Sequence, residues 1–120
     1  YACQQPGIQS ADNLRGIYRT DADGRFEIRS VRPVPYPIPY DGPVGALLKA
    51  NARNWMRPGH MHVWLRHPGF KDLITHVFDT ESDYLHDDAV FGVRDSLVCK
   101  FAPDASGELS TTFDFVLDRA

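Results

Sequence analysis

The residues of this sequence best suited to chemistry are two histidines, His60 and His62, that lie two positions apart. In a β-strand, side chains at positions i and i+2 project to the same face, so both imidazoles are expected to point the same way. The apolar residues Met61, Val63 and Leu65 alternate with them and predict that strand. Two adjacent imidazoles suit one metal ion, although the residue type alone fits zinc, copper, iron and nickel.

A stiff segment upstream of the histidines carries a third candidate, Tyr36. Five prolines lie between Arg32 and Pro43. Prolines at this density exclude a helix or a central strand, so the segment is predicted to be an extended loop. It is either a linker or recognition strip, or a rigid arm that holds Tyr36 in place. We favour the arm, because a tyrosine ligand must be held with little conformational freedom.

Two further polar residues near the pair each allow two interpretations. Arg57 stands three residues before His60, and it is either a salt-bridge partner of a surface aspartate or a fixed cation beside a substrate. The three-residue offset favours the second. His76 is either a group that orients a metal ligand or binds a substrate oxygen, or a hydrogen-bonded core histidine. Both alternatives for His76 stay open.

Several separated blocks of the sequence resemble the intradiol ring-cleavage dioxygenases. These blocks are Tyr-Pro-Ile-Pro-x-Asp-Gly-Pro-Val-Gly (36–45), Arg-Pro-Gly-His-Met-His (57–62), and the segments 73–79 and 88–98. The separation of 24 positions between Tyr36 and His60 also matches that family. The two downstream segments are similar to the hydroxyquinol-cleaving branch of the family. One departure is Gly59, where the family usually has alanine.

The resemblance implies a non-haem Fe(III) cofactor. The implied ligands are two tyrosinates and two histidines with a bound hydroxide, at Tyr1, Tyr36, His60 and His62. Two phenolates and one hydroxide balance the 3+ charge, which lowers the cost of burying the site. The implied catalytic residues are Arg57 and Tyr36, the latter being displaced by the substrate. The implied substrate pocket is lined by Ile38, Pro39, Arg57 and Val90, although for Ile38 and Val90 ordinary core packing is the alternative.

The implied reaction is intradiol cleavage of an aromatic 1,2-diol by O2. The branch resemblance favours hydroxyquinol (benzene-1,2,4-triol), cleaved to 3-hydroxy-cis,cis-muconate/maleylacetate in aromatic degradation, and catechol and chlorocatechol are the alternatives. An alternative of another class is a non-enzymatic, prealbumin-like β-sandwich binding module, which needs neither the histidine pair nor Arg57. A cupin is disfavoured, because no carboxylate closely follows His62.

Short strands separated by turn signals predict an all-β fold. The expected architecture is a β-sandwich of mostly antiparallel strands with long proline-rich loops and little helix, and the resemblance implies the same with a prealbumin-like core. A hairpin turn is predicted at Asp21-Ala22-Asp23-Gly24. The predicted strands are residues 14–20, 25–31, 55–65, 73–78, 94–101 and 111–117, and a short helix is predicted over 44–52.

The first residue coincides with a ligand position of the family. The family's first tyrosine ligand lies in a Tyr-x-x-Gln segment, which is Tyr1-Ala2-Cys3-Gln4 here. Residues 1–120 are therefore expected to be the C-terminal part of the catalytic β-sandwich domain. The resemblance implies that a helical N-terminal dimerisation region and the first part of the core precede them, and hence a homodimer.

Composition limits the possible partners. A formal net charge of −3 over 120 residues gives no electrostatic case for binding nucleic acid or an anionic membrane. No apolar run approaches the ~20 residues of a spanning helix. The two cysteines, Cys3 and Cys99, form no metal-type Cys-x-x-Cys pair and are expected to be free thiols in a reduced cytoplasm. The expected partners are a small aromatic diol and O2.

Overall fold

The computed structural model describes residues 7–120, and the chain divides into two compact units, residues 1–31 and 32–120. In the first unit the predicted turn is confirmed. The carboxylate of Asp21 accepts the backbone N–H groups of Asp23 and Arg25 at 2.9 and 2.8 Å, and the Gly24 N–H donates to the Asp21 carbonyl oxygen. A side chain that accepts two backbone donors in this way stabilises a turn without any tertiary contact.

The two strands predicted on either side of this turn are wrong. Neither 14–20 nor 25–31 forms a strand among the described residues. The Asp21 N–H also donates to the Arg25 carbonyl oxygen, and this hydrogen bond is not continued as a ladder among the described residues. The side chain of Ile17 is 96% exposed, so the alternating apolar residues find no sheet to pack on within this unit, and an isolated hairpin is marginal.

The second unit contains the regular structure, which is mostly β. Two antiparallel strands form one sheet, three strands form a second, and two antiparallel strands form a third. The elements are β1 (Tyr36–Pro37), α1 (Pro43–Ala50), β2 (Met56–Arg57), β3 (His60–Leu65), β4 (Leu73–Asp79), a 3-10 turn (Asp95–Leu97), β5 (Val98–Cys99), β6 (Ala102–Pro103) and β7 (Leu109–Ser110).

The longest ladder is the antiparallel pairing of β3 with β4. Its register pairs six residues on each strand, including His60 with Phe78 and His62 with His76. The shared face carries His60, His62 and Trp64 of β3 and Ile74, His76 and Phe78 of β4. The prediction that both histidines of the pair project from one face of a strand is confirmed, since their ring centroids lie 5.0 Å apart.

The other predicted elements are partly confirmed. The helix expected over 44–52 is α1, which begins one residue earlier and ends two residues earlier. Among the described residues, no helix has the length and apolar character of a membrane span. The strand expected over 94–101 shrinks to β5, which pairs with β4 in parallel. Residues 111–117 keep the predicted alternation of exposure but form no ladder among the described residues. The all-β class with one helix and long loops is confirmed.

The most buried part of the unit is the end of β4. Phe78 and Asp79 are 0% and 1% exposed, and the free thiol of Cys99 on β5 is buried against the Phe78 carbonyl oxygen at 3.5 Å. Because Asp79 is a carboxylate in a core position, it needs partners to offset its lost hydration. Cys99 thus agrees with the expectation of a free thiol, whereas Cys3 lies outside the described residues.

Asp79 anchors the start of the proline-rich arm. Its Oδ2 accepts a hydrogen bond from Arg32 Nε at 2.5 Å, and its Oδ1 accepts the Glu81 N–H at 3.0 Å. Burial alone raises the pKa of Asp79, but these hydrogen bonds and the Arg32 charge outweigh it, so the pKa lies below the ordinary value. The ion pair ties the arm to the end of β4.

Replacing this anchor tests its contribution. We expect Asp79→Asn to lower the free energy of unfolding at pH 7 by about 1–3 kcal/mol, because a buried charged partner is lost. A carboxyl whose folded pKa is depressed stabilises the fold above its unfolded pKa, and this stability is lost as pH falls through the folded pKa. The difference between wild type and variant should therefore shrink below the ordinary aspartate pKa of 3.8. Urea unfolding at pH 7 and pH 3 measures it.

The control for this variant is Asp83→Asn, in the loop that follows β4. Asp83 is exposed, and its replacement is expected to leave the unfolding free energy within about 0.5 kcal/mol of wild type. Equal effects of the two substitutions at pH 7 would show that Asp79 contributes no more than a surface carboxylate.

Candidate metal centre and active site

Two small sheets bring the candidate residues together. The β1–β2 pair places Tyr36 directly opposite Arg57, and the β3–β4 pair places His62 directly opposite His76. Only Pro58 and Gly59 separate β2 from β3, so the first pair is held close to the N-terminal end of β3. His60 begins that strand and lies between the two pairs.

Three imidazoles form a compact cluster on the β3–β4 face. The ring centroids are 4.2 Å apart for His62 and His76, 5.0 Å for His60 and His62, and 5.1 Å for His60 and His76. Each histidine offers one ring nitrogen, and these three nitrogens all lie within 4.8 Å of one another. A metal ion could be held by this cluster, which is the one such group of histidine, cysteine or carboxylate side chains among the described residues.

Tyr36 and Arg57 both point at the same atom of His60. Tyr36 Oη lies 3.4 Å from His60 Nε2, and Arg57 Nη1 lies 3.1 Å from it. His60 Nδ1 lies 2.7 Å from the carbonyl oxygen of Pro58, which can only accept, so Nδ1 carries the proton and Nε2 is the acceptor. A backbone carbonyl that fixes the tautomer in this way is the usual support of a metal-binding histidine.

The electrostatics of the cluster favour neutral imidazoles. Burial lowers the pKa of His60 to about 4, with further lowering by Arg57 and the neighbouring histidines against the opposing Pro58 carbonyl. Burial also lowers the pKa values of His62 and His76, and Arg57 adds to the effect in both. At neutral pH all three therefore keep a lone pair that a metal ion can use.

The proline-rich arm reaches the site because Gly59 leaves room for it. A Cβ atom on Gly59 would lie 2.6 Å from the Pro33 carbonyl oxygen and 3.2 Å from the Val34 backbone nitrogen. The Gly59 N–H donates to Ser82 Oγ at 2.6 Å. The backbone of the arm lies too close to Gly59 for a Cβ atom. This close approach explains why glycine stands where the resemblance leads us to expect alanine.

Arg57 is a buried member of an ion pair as well as a neighbour of His60. It is 7% exposed, and its Nε and Nη2 donate to the two carboxylate oxygens of Asp88 at 3.2 and 3.3 Å. Burial tends to lower the pKa of Arg57, but Asp88 and Tyr36 raise it above its ordinary value, so the cation is permanent. Arg57 is therefore the ion-pair partner of an aspartate, although of a buried one, and this role is compatible with that of a fixed cation beside a substrate.

The predicted pocket residues flank this arrangement. Ile38 is half-buried, its N–H donates to the Trp55 carbonyl oxygen at 2.9 Å, and Pro39 beside it is exposed. Val90 is 46% exposed, so the alternative of an ordinary core residue is wrong for it. The Val90 N–H donates to Asp88 Oδ1 at 3.2 Å, which links it to Arg57. Tyr1 lies outside the described residues.

The donor set fits a metal ion that also accepts anionic oxygen ligands. The three imidazoles are neutral, the Asp88 carboxylate is engaged by Arg57, and a permanent cation stands 3.1 Å from His60 Nε2. A metal ion added beside that cation is stabilised only by anionic ligands. Among the described residues at the site, the Tyr36 phenol can supply one. If a metal ion binds His60 Nε2, this nitrogen can no longer accept a hydrogen bond from Arg57 or Tyr36.

Sequence reasoning missed Asp88. The segment from Asp79 to Asp88 looks like an acidic loop, and nothing in the pattern separates Asp88 from its solvated neighbours.

Comparisons with known proteins agree with this geometry. A dioxygenase family model matches residues 1–119. The chain is 50% identical over 101 residues to a hydroxyquinol 1,2-dioxygenase of Rhizobium sp. strain MTP-10005, covering 84% of this chain and 34% of that protein. It is 44% identical over 118 residues to a 6-chlorohydroxyquinol 1,2-dioxygenase of Cupriavidus pinatubonensis, covering 98% and 42%.

A solved structure shares the whole fold of the chain. The crystal structure of hydroxyquinol 1,2-dioxygenase from Pseudomonas putida DLL-E4 superposes with a TM-score of 0.91 at 41% identity and covers 100% of this chain and 46% of that one. The chain thus spans less than half the length of these three proteins. The predicted fold is confirmed, and this chain belongs to the intradiol ring-cleavage dioxygenase family.

Proposed function

We propose that this chain carries the greater part of the active site of a non-haem Fe(III)-dependent intradiol dioxygenase, with hydroxyquinol as the preferred aromatic diol. The observation that carries the proposal is the meeting of Tyr36, Arg57 and three imidazoles at contact distance. The similarity to hydroxyquinol and 6-chlorohydroxyquinol dioxygenases supports the substrate class. Catechol and chlorocatechol are the alternative substrates.

The donor set supports a ferric centre over a softer metal. Phenolate is a hard anionic ligand that suits Fe(III), and imidazoles fill the remaining positions. In this proposal the ligands are Tyr36, His60 and His62, with Tyr1 as a second tyrosinate. When bound, ferric iron supplies a Lewis acid and electron acceptor for the diol.

The side chains of the chain handle protons and charge. Tyr36, as a phenolate, can accept one phenolic proton of the diol as the substrate binds, so that the phenolate charge lost from Tyr36 offsets the charge gained on the diol. Arg57 stabilises the negative charge that develops on the ring or its oxygens, and it does so in a buried position where such a charge is strongly felt. Ile38, Pro39 and Val90 line the pocket and exclude water from the ring.

Three wider expectations accompany the proposal and remain predictions. Residues 1–120 are the C-terminal part of the catalytic domain, the protein forms a homodimer through a region outside this chain, and it acts in the cytoplasm. Size-exclusion chromatography with light scattering tests the dimer directly.

The visible absorption spectrum of the full-length protein tests the proposed function. We expect a broad band from tyrosinate-to-iron charge transfer that shifts to longer wavelength when hydroxyquinol is added without O2, because the diol replaces Tyr36. A protein that is colourless, contains no iron by metal analysis and takes up none would instead favour a non-enzymatic β-sandwich binding module.

Arg57→Lys tests the cation. Lysine keeps the charge but loses the planar fork, so it is expected to pair with Asp88 and miss the substrate. We expect kcat for hydroxyquinol to fall about 10–100-fold while iron content and the visible band are retained. Arg66→Lys, at an exposed arginine over the Trp64 ring, is the matched control with kcat within about twofold of wild type. Unchanged turnover in Arg57→Lys would remove Arg57 from the catalytic residues.

His76→Gln distinguishes the roles of the third imidazole. If His76 binds a substrate oxygen or orients a ligand, the variant keeps its iron, and the ratio of kcat/KM for hydroxyquinol to that for catechol falls about tenfold. His67→Gln, at an exposed loop histidine, is the control and leaves this ratio unchanged. Loss of iron from His76→Gln, measured by metal analysis, would instead make His76 a ligand.

A further inference from the structure

We infer that Asp88 is a positioning residue that aims Arg57 at the active site, an inference that rests on the proposed function. Asp88 is 5% exposed, and its carboxylate accepts four hydrogen bonds. Oδ1 accepts Arg57 Nε and the Val90 N–H, both at 3.2 Å, and Oδ2 accepts Arg57 Nη2 at 3.3 Å and the Gly92 N–H at 2.9 Å.

The geometry of the pair decides where the remaining arm of Arg57 points. A guanidinium group is planar, so two donors placed on one carboxylate also set the direction of the third nitrogen. Here Nε and Nη2 are engaged by Asp88, and Nη1 lies 3.1 Å from His60 Nε2. Without the carboxylate, Arg57 keeps its charge but no longer has this fixed aim.

Asp88 also joins Arg57 to the wall formed by the following turn. Its carboxylate holds the backbone of Val90 and Gly92, and a Cβ on Gly92 would lie 2.8 Å from Arg57 Nη2 and 3.1 Å from Asp88 Oδ2. Phe91, between them, has a positive φ of 55°, a strained conformation for a bulky residue. The Asp88 carboxylate therefore joins this turn directly to Arg57.

The loop does not depend on the carboxylate to stay attached. The Ala89 N–H donates to the Met56 carbonyl oxygen at 3.0 Å, and Arg53 Nη2 donates to the Asp88 carbonyl oxygen at 3.1 Å. Arg53 also lies over the Phe91 ring, 3.9 Å from its centroid. These backbone and ring contacts do not involve the Asp88 carboxylate and are expected to remain in an Asp88 variant. The role that we assign to the carboxylate is therefore to orient Arg57.

A double-mutant cycle on the full-length, iron-loaded protein tests this inference. We expect Asp88→Asn to lower kcat for hydroxyquinol about 10–100-fold, with KM changed less than kcat and with iron content and the visible band retained. In the double variant with Arg57→Lys, the loss should equal that of the more damaging single change, because Asp88 acts through Arg57. Losses that multiply in the double variant would overturn the inference.

Further variants distinguish an effect on the orientation of Arg57 from an effect on folding. Asp88→Glu keeps a carboxylate and is expected to recover part of the lost turnover, which a purely structural role does not predict. Asp83→Asn, at an exposed aspartate of the preceding loop, is the matched control and keeps kcat within about twofold of wild type. If Asp88→Asn does not fold, Gly92→Ala disturbs the same pair with its charges intact and is expected to lower kcat about tenfold. Wild-type turnover in folded Gly92→Ala or Asp88→Asn would overturn the inference.

The failure of the proposed function would be recognised separately. If the wild type cleaves neither hydroxyquinol nor catechol nor chlorocatechol, the dioxygenase proposal fails. Crystal structures of the wild type and Asp88→Asn then decide on Asp88. A displaced or disordered Arg57 guanidinium in the variant supports the positioning role, and one that stays in place overturns it.

Discussion

The antiparallel register of β3 and β4 is the constraint on which the rest of the site depends. Because side chains alternate between the faces of a sheet, this register places His60, His62 and His76 on one face. A slip of one residue would move the histidines of one strand to the other face and leave no cluster. The core at the end of β4, with Phe78 and Asp79 almost fully buried, holds the register.

A permanent cation beside neutral imidazoles gives this site its chemical character. Burial keeps the imidazole pKa values low, while Asp88 and Tyr36 keep Arg57 charged. Arg57 therefore presents its positively charged Nη1 to His60, while Asp88 pairs with the other two nitrogens of the guanidinium. A fixed positive charge at this position favours anionic over neutral oxygen ligands on a metal ion bound beside it.

Contacts distant in sequence supply the rigidity that the active site needs. Arg32 is held by Asp79 across 47 positions, and Arg57 is held by Asp88 across 31. Each pair consists of a buried carboxylate and an arginine that would otherwise be mobile. The first fixes the arm that carries Tyr36, and the second fixes the guanidinium group beside His60. The close approach of the arm to Gly59 lets both meet at the start of β3.

Much of the site was predictable from the sequence because its signals are local. The spacing of His60 and His62 in an alternating strand, the prolines around Tyr36 and the offset of Arg57 are all short-range patterns. They agree with the structure in that Tyr36, Arg57 and His62 all lie beside His60. Separate local signals correctly predicted the all-β class and a helix close to α1. The short-range turn at Asp21–Gly24 also formed as predicted, because its hydrogen bonds come from its own residues.

Tertiary structure alone decided which alternating segments pair and which carboxylate serves Arg57. Residues 14–20, 25–31 and 111–117 have the pattern of strands, but a strand also needs a partner edge, and the pattern does not encode one. Asp88 looks like its acidic neighbours in sequence, and it differs only because the fold buries it against Arg57. The sequence by itself therefore determined the local geometry and the types of side chain at the candidate site, whereas long-range burial decided the pairings, since desolvation depends on the whole fold.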